Sequence, residues 1–183
     1  MPGWRSPVKK DIEIIDVTET LPWNTNGQKW DTRSETKIKF IVVHQALGTK
    51  TVVGTNKYSI TNSPNMALGR GSPRIPYHFF IEPDGKIYQC NKIIDLTCTV
   101  KNMNTVVLSI CLGGFYSYQD MKTRDGNPPK IQLKSLESLL NYLVQLLKLT
   151  NKDVRTHDEL QGKPSCPGTV AAEFVKQYKE STT

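Results

Sequence analysis

Ile38-Lys39-Phe40-Ile41-Val42-Val43-His44 is the stretch whose reading decides how this chain folds. From Phe40 to Val43 the run is continuously apolar and ends in β-branched residues, with no alternation of polar and apolar positions. A strand wetted on one face would alternate, so this one is expected to be covered on both faces, as in sheets flanked by helices. The histidine at its mouth then sits at an edge of the core. A lone histidine there is most often a hydrogen-bonded edge residue, so other signals are needed before it carries chemistry.

One such signal lies near the C-terminus, in THDELQGKPSCPG, residues 156–168. Here His157 is followed nine positions later by Cys166, across a Gly162-Lys163-Pro164-Ser165 turn that cannot continue a helix. Such a loop folds the thiol back beneath the imidazole. An imidazole and a thiolate suit a borderline-soft divalent ion, and a catalytic zinc needs a third protein ligand besides an open position. His44 is the best candidate for that third ligand. A Tyr77-His78 pair opening another strand is the further signal that lifts His44 above a simple edge residue.

The remaining elements surround these two stretches. Ile12 to Val17 has the pattern of a short strand, followed by a polar loop from Pro22 to Ser34. Tyr77 to Gln89 reads as a hairpin about Pro83-Asp84-Gly85-Lys86, whose Asp-Gly pair is a strong turn signal. Val106 to Leu112 is another apolar strand, and it ends at Gly113-Gly114, where backbone can approach closely. Leucines at three- and four-residue spacing predict a helix over 131–150, and a second amphipathic helix is expected from Val170 to Tyr178. Between Gly48 and Pro76 the signals are weak. Helical character near Val52 to Ile60 gives way to breakers at Asn62-Ser63-Pro64 and Gly69-Arg70-Gly71-Ser72-Pro73, which read equally as a functional segment or as a plain surface loop with Arg70 and Arg74 solvated. Strands alternating with helices give an α/β fold, a single domain with a mixed central β-sheet flanked by α-helices.

At 183 residues the chain is long enough for one domain with a sizeable core, with residues 1–10 expected as a loose tail and the domain running over 11–183. The 24 Lys and Arg against 17 Asp and Glu leave a net charge of +7, which favours anionic partners. No arginine-rich helix, RNA-binding block or zinc-finger spacing accompanies that charge, so nucleic acid is not an expected partner. No run approaches the length of a membrane span, and residues 1–14 lack the apolar core of a signal peptide. The expectation is a protein made in the cytoplasm, with no membrane insertion. Four cysteines are too few for a disulfide scaffold. Cys111 reads as a small buried hydrophobe, and Cys90 and Cys98 as structural.

VVHQA, IPYHFFIEPDGKIYQ, NTVVLSICLGGF and THDELQGKPSCPG, in this order, resemble the type 2 N-acetylmuramoyl-L-alanine amidases. These are zinc-dependent peptidoglycan hydrolases of phage lysozymes of the T7 kind, related to the peptidoglycan recognition proteins. The resemblance runs from about Asp11 to the C-terminus and rests on several blocks at compatible spacing. It implies Zn2+ held by His44, His157 and Cys166, and hydrolysis of the amide between N-acetylmuramic acid and L-alanine in bacterial peptidoglycan. It implies catalytic roles for Tyr77, at the position of the phage enzymes' active-site tyrosine, and for a lysine. Asp158 and Glu159 are candidates to orient an imidazole, or else solvated carboxylates, and His78 reads as structural.

Two positions depart from the family pattern. Thr99 stands where the family often has a substrate-binding histidine. Pro164 stands where the family lysine usually precedes the cysteine ligand, leaving Lys163 one residue further back as the candidate. As an endolysin lacking an export signal, the protein would accumulate in the host cytoplasm and reach the wall once the membrane is breached. Two other readings of the same residues are a non-catalytic peptidoglycan-binding module, against which Cys166 argues, and a Cys-His peptidase with Cys166 as nucleophile. The oligomeric state is not legible from the residues.

Overall fold

A computed structural model describes residues 12–25, 27–61 and 71–181. The expected tail at 1–10 lies outside these residues, as do Asn62-Ser63-Pro64 and Gly69-Arg70. In chain order the elements are β1 (Ile14–Asp16), β2 (Asp31–Thr32), β3 (Phe40–Gln45), α1 (Val52–Thr61), β4 (Phe79–Ile81), β5 (Ile87–Gln89) and β6 (Asp95–Leu96). They continue with β7 (Val107–Leu112), α2 (Lys130–Leu146), β8 (Val154–Thr156), α3 (His157–Gln161) and α4 (Thr169–Glu180). Six strands form one sheet in the order β1-β5-β4-β7-β3-β8, and β2 pairs with β6 alone. The sheet is mixed: only the β4-β5 hairpin is antiparallel, while β1-β5, β4-β7, β7-β3 and β3-β8 run parallel.

The two-sided burial expected of β3 is present, because consecutive residues point to opposite faces and both faces are covered. Ile41 and Val43 join Phe79, Ile81, Leu108, Ile110 and Leu112 against Leu136, Leu139, Leu140 and Leu143 of α2 and Ala171, Val175 and Tyr178 of α4. Each leucine fully buried in this layer contributes about 1.5–3 kcal/mol relative to exposure. On the other face Val42 packs with Val100 and Val107, while Phe80 and Cys111 pack with Val52 of α1, Ile75 and Cys90.

Helix α2 stops at Leu146, four residues before the end that the leucine spacing predicts. Lys148 adopts a left-handed backbone with φ of 54°, and its N–H bonds the Gln145 carbonyl while that of Leu149 bonds Val144. This closure terminates a helix as a glycine would. Because lysine holds the left-handed position, no glycine marks the stop in the sequence. Leu147 and Leu149 still pack against the core from beyond the helix end, which is why the apolar spacing outlasts the helix. At the end of β7 the Gly113-Gly114 pair does permit close approach. A Cβ at Gly113 would meet the Lys50 carbonyl oxygen at 2.5 Å, and one at Gly114 the Tyr116 ring at 2.4 Å.

No helix of the described residues is long and apolar enough to cross a membrane.

Candidate metal centre

Strands β3 and β8 lie side by side, and β8 ends at Thr156, opposite Val43. The next residue along each chain direction is a histidine. His44 is the penultimate residue of β3, opposite Cys111, and is 2% exposed. His157 opens α3, and its ring centroid is 4.7 Å from that of His44.

The local sequence fixes α3 at both ends. Thr156 caps it: its hydroxyl accepts the Glu159 N–H at 3.1 Å, and the Glu159 carboxylate accepts the Thr156 N–H at 2.8 Å. Gly162 stops it in the left-handed conformation, φ 60° and ψ 48°. The chain then turns back through a Cys166 N–H to Lys163 carbonyl bond of 2.8 Å, and the Asp158 N–H closes on the Cys166 carbonyl at 3.1 Å. As the glycine-proline turn led one to expect, the thiol returns beneath the imidazoles. Cys166 Sγ is 3.7 Å from His44 Nδ1 and 3.4 Å from the backbone nitrogen of Gln45, whose N–H donates to it.

One ligand atom from each of His44, His157 and Cys166 falls within 4.8 Å of the others. A tetrahedral zinc with bonds of about 2.0–2.3 Å holds its ligand atoms roughly 3.5 Å apart, so modest closure of this triangle fits the ion. Hydrogen bonding gives a second sign of fit. His44 Nε2 is buried with no partner among the described residues, a rarity for a buried polar atom. Burial, reinforced by the neighbouring His157, drives the His44 pKa well down, and burial also lowers that of His157. Both imidazoles are therefore neutral, the form that ligates metal. Burial pushes the Cys166 thiol up to about 12, with the Gln45 N–H opposing it. A buried thiolate here needs a cation beside it, and two neutral imidazoles plus a thiolate are a donor set suited to zinc.

Tyr77 stands against the cluster, its ring centroid 5.4 Å from that of His44. Burial, with the Cys111 and Cys166 sulfurs adding to it, raises the phenol pKa well above its ordinary value, and the hydroxyl shares a hydrogen bond with the Cys111 thiol. It is thus a proton-bearing donor at the edge of the site. Lys163 lies on the exposed rim of the loop, from where its charge contributes to keeping His157 neutral.

Several neighbouring residues have other work. Glu159 does not orient an imidazole: its carboxylate is held by the Thr156 cap and by Lys179. Among the described residues the partner of His157 is Gln161, whose Oε1 is 3.2 Å from Nε2. Asp158 faces a separate surface pocket with Pro164, Thr169 and Glu173. His78 is structural, as the strand reading has it: Nδ1 accepts the Ser109 N–H at 3.1 Å, and Nε2 lies 3.0 Å from the Asp95 carbonyl. Arg74 is neither solvated nor free to meet a ligand. It is buried, bonded to Asn91 and the Thr18 carbonyl and stacked 4.0 Å over Trp23. Cys90 is buried, but Cys98 is exposed, and Thr99 bonds Ser109 through its hydroxyl. A cavity of about 570 Å³ opens along the same segment, lined by Trp30, Asp31, Thr97, Cys98 and Asn104 among others.

Residue reading alone missed Gln45, Cys111 and Gln161. The spacing of four between His157 and Gln161 is a helical signal that could have found the last. Gln45 has no such signal: its side chain bonds the Ser165 and Tyr116 carbonyls, contacts that exist only after folding.

The model of the N-acetylmuramoyl-L-alanine amidase family matches residues 34–169, a span containing His44, Tyr77, His157 and Cys166. The chain belongs to that family. No curated protein is similar enough in sequence to count as a match. Among solved structures, this amidase-family chain is similar to the endolysin and N-acetylmuramoyl-L-alanine amidase LysCS from Clostridium intestinale, with a TM-score of 0.66 and 20% identity over 93% of this chain and 97% of that one. It is similar to the Ph2119 endolysin from the Thermus scotoductus bacteriophage, with a TM-score of 0.65 and 22% identity over 91% and 99%. Drosophila peptidoglycan recognition protein SD gives 0.67 and 18% over 91% and 95%. At such identities the likeness is one of fold, and it agrees with the mixed sheet flanked by helices seen here. Family membership makes the chain a protein of peptidoglycan cleavage or binding.

Proposed function

We propose that this chain is a zinc-dependent N-acetylmuramoyl-L-alanine amidase of the phage endolysin kind, with His44, His157 and Cys166 holding the metal. The observation that carries the reading is the convergence of those three ligand atoms, from β3, α3 and the following loop, within 4.8 Å in a buried setting. When bound, zinc supplies Lewis-acid polarisation of a carbonyl and acidifies a water molecule.

The chain's own residues supply the rest. His44 and His157, kept neutral by burial, present lone pairs rather than protons. The Gln45 N–H stabilises charge on the Cys166 sulfur. Tyr77, kept protonated, donates a hydrogen bond where negative charge develops on the scissile amide oxygen, and Lys163 adds a positive charge from the rim. The net charge of +7 favours approach to the anionic polymers of a bacterial wall. The enzyme is proposed to build up in the host cytoplasm and to reach the wall after the membrane is breached, which fractionation of lysing cells would test.

A peptidase using Cys166 as nucleophile is disfavoured. Such a thiol is exposed and has a depressed pKa, whereas this one is 5% exposed and raised to about 12. Digestion of purified peptidoglycan tests the proposal directly. New L-alanine amino termini without new reducing sugar ends are expected, together with loss of lysis on chelation and its return with zinc. Reducing ends would mean a glycosidase, and full activity in metal-free protein would return the reading to the peptidase.

A further inference from the structure

We infer that Gln161 is a positioning residue that fixes the tautomer of His157 and so decides which ring nitrogen faces the metal. The inference rests on the reading of His44, His157 and Cys166 as zinc ligands. An amide side chain has a donating end and an accepting end, and here the surroundings determine which is which. Gln161 Nε2 lies 2.7 Å from the Lys101 carbonyl, a group that can only accept, so the NH2 end is turned there. The carbonyl end, Oε1, is then left 3.2 Å from His157 Nε2. An accepting oxygen at that distance is matched only by an N–H, so the proton of the neutral imidazole sits on Nε2. Nδ1 keeps the lone pair and is the nitrogen free to ligate.

The geometry is held from several sides. His157 and Gln161 are four apart on α3, so they share a face. The short helix is pinned by the Thr156 capping box and by Gly162. The Lys101 carbonyl belongs to the segment between β6 and β7, so Gln161 also ties a metal ligand to the segment that borders the 570 Å³ cavity. A metal-bound histidine usually donates its second N–H to a carboxylate, a carbonyl or water, and loss of that partner typically costs about 10- to 100-fold in metal affinity or activity. Here the role falls to an amide. A carboxylate at position 161 would set an oxygen against the Lys101 oxygen.

Two variants and two readouts test this. Gln161→Met keeps the shape and removes both hydrogen bonds; Gln161→Glu keeps the acceptor and loses the donor. Zinc affinity is measured by competition with a chelator, using zinc alone, and the His157 tautomer by 15N shifts of the imidazole in metal-free and zinc-loaded protein. Thermal unfolding of the metal-free variants is the control for the fold. Expected are a wild-type His157 protonated at Nε2 before zinc is added, about 10- to 100-fold weaker zinc binding with mixed tautomers in Gln161→Met, and recovery to within a few-fold of wild type in Gln161→Glu. Wild-type affinity and an unchanged tautomer in Gln161→Met would overturn the inference. So would a Gln161→Glu variant as weak as Gln161→Met, since the tie to Lys101 rather than the acceptor would then be what matters. A wild-type protein with the Nε2–H tautomer that binds no zinc would sink the metal reading while leaving the tautomer assignment standing.

Discussion

His44 and His78 flank β7 from opposite sides, and both are buried, yet they are different kinds of histidine. His78 has its capacity filled. The Ser109 N–H meets Nδ1, the Asp95 carbonyl meets Nε2, and burial with the nearby Arg33 guanidinium drives its pKa to about 3. His44 is equally dry, but its Nε2 meets nothing among the described residues and its Nδ1 meets a thiol. The difference teaches that burial of a polar ring does not mark a functional site. Hydrogen-bonding capacity left unfilled beside other ligands does, because a fold that gained only stability from the ring would have satisfied it.

The strongest way to break that comparison is to remove each ring in turn. His44→Ala should take zinc from near one per chain to near zero and peptidoglycan lysis to background, with the fold intact by circular dichroism. His78→Ala should instead leave the Ser109 N–H unsatisfied and open a cavity, costing about 2–5 kcal/mol in denaturant unfolding while the folded protein keeps its zinc. Zinc retained in His44→Ala, or lost selectively in His78→Ala, would mean that the two roles have been exchanged.

Tyr77 and Lys163 sharpen the picture of the site's edge. Tyr77→Phe removes a half-buried, protonated donor, and kcat should fall by about 10² to 10³ with zinc content unchanged. Lys163→Ala removes a charge on the solvated rim, where water and salt screen it, and a fall of roughly tenfold in kcat is expected. A Lys163→Ala enzyme as fast as wild type would leave Tyr77 as the sole donor, and the assignment of a catalytic lysine would be withdrawn.

A dependence on pH tests the thiol separately. The metal-free Cys166 thiol is raised to about 12, so it is protonated throughout the neutral range and zinc must displace that proton. His44 and His157 are lowered and already neutral above pH 7, so they add no further proton. Zinc affinity should therefore rise with pH by about tenfold per unit between about pH 7 and 9, the slope for release of one proton. A flat profile in competition titrations would remove Cys166 from the ligand set.

Much of this was legible in residue order, and the limits have physical causes. Periodicity is a local property, so the apolar run of β3, the Asp-Gly hairpin and the leucine stripe of α2 announced their elements. The helix stop at Lys148 did not announce itself, because a non-glycine residue there adopts the left-handed backbone under constraints from the core. The ligand types His44, His157 and Cys166 could be named from sequence, and the glycine-proline turn told that the thiol returns toward the imidazole. Only the parallel register of β3 with β8 brings His44 and Cys166, 122 residues apart, to 3.7 Å. The supporting contacts of Gln45, Cys111 and Gln161, and the assignment of Glu159 to a helix cap, were likewise settled by tertiary structure. Hydrogen bonds between distant segments depend on which atoms the packed sheet leaves within 3 Å or so of each other, and no local pattern of residues encodes that distance.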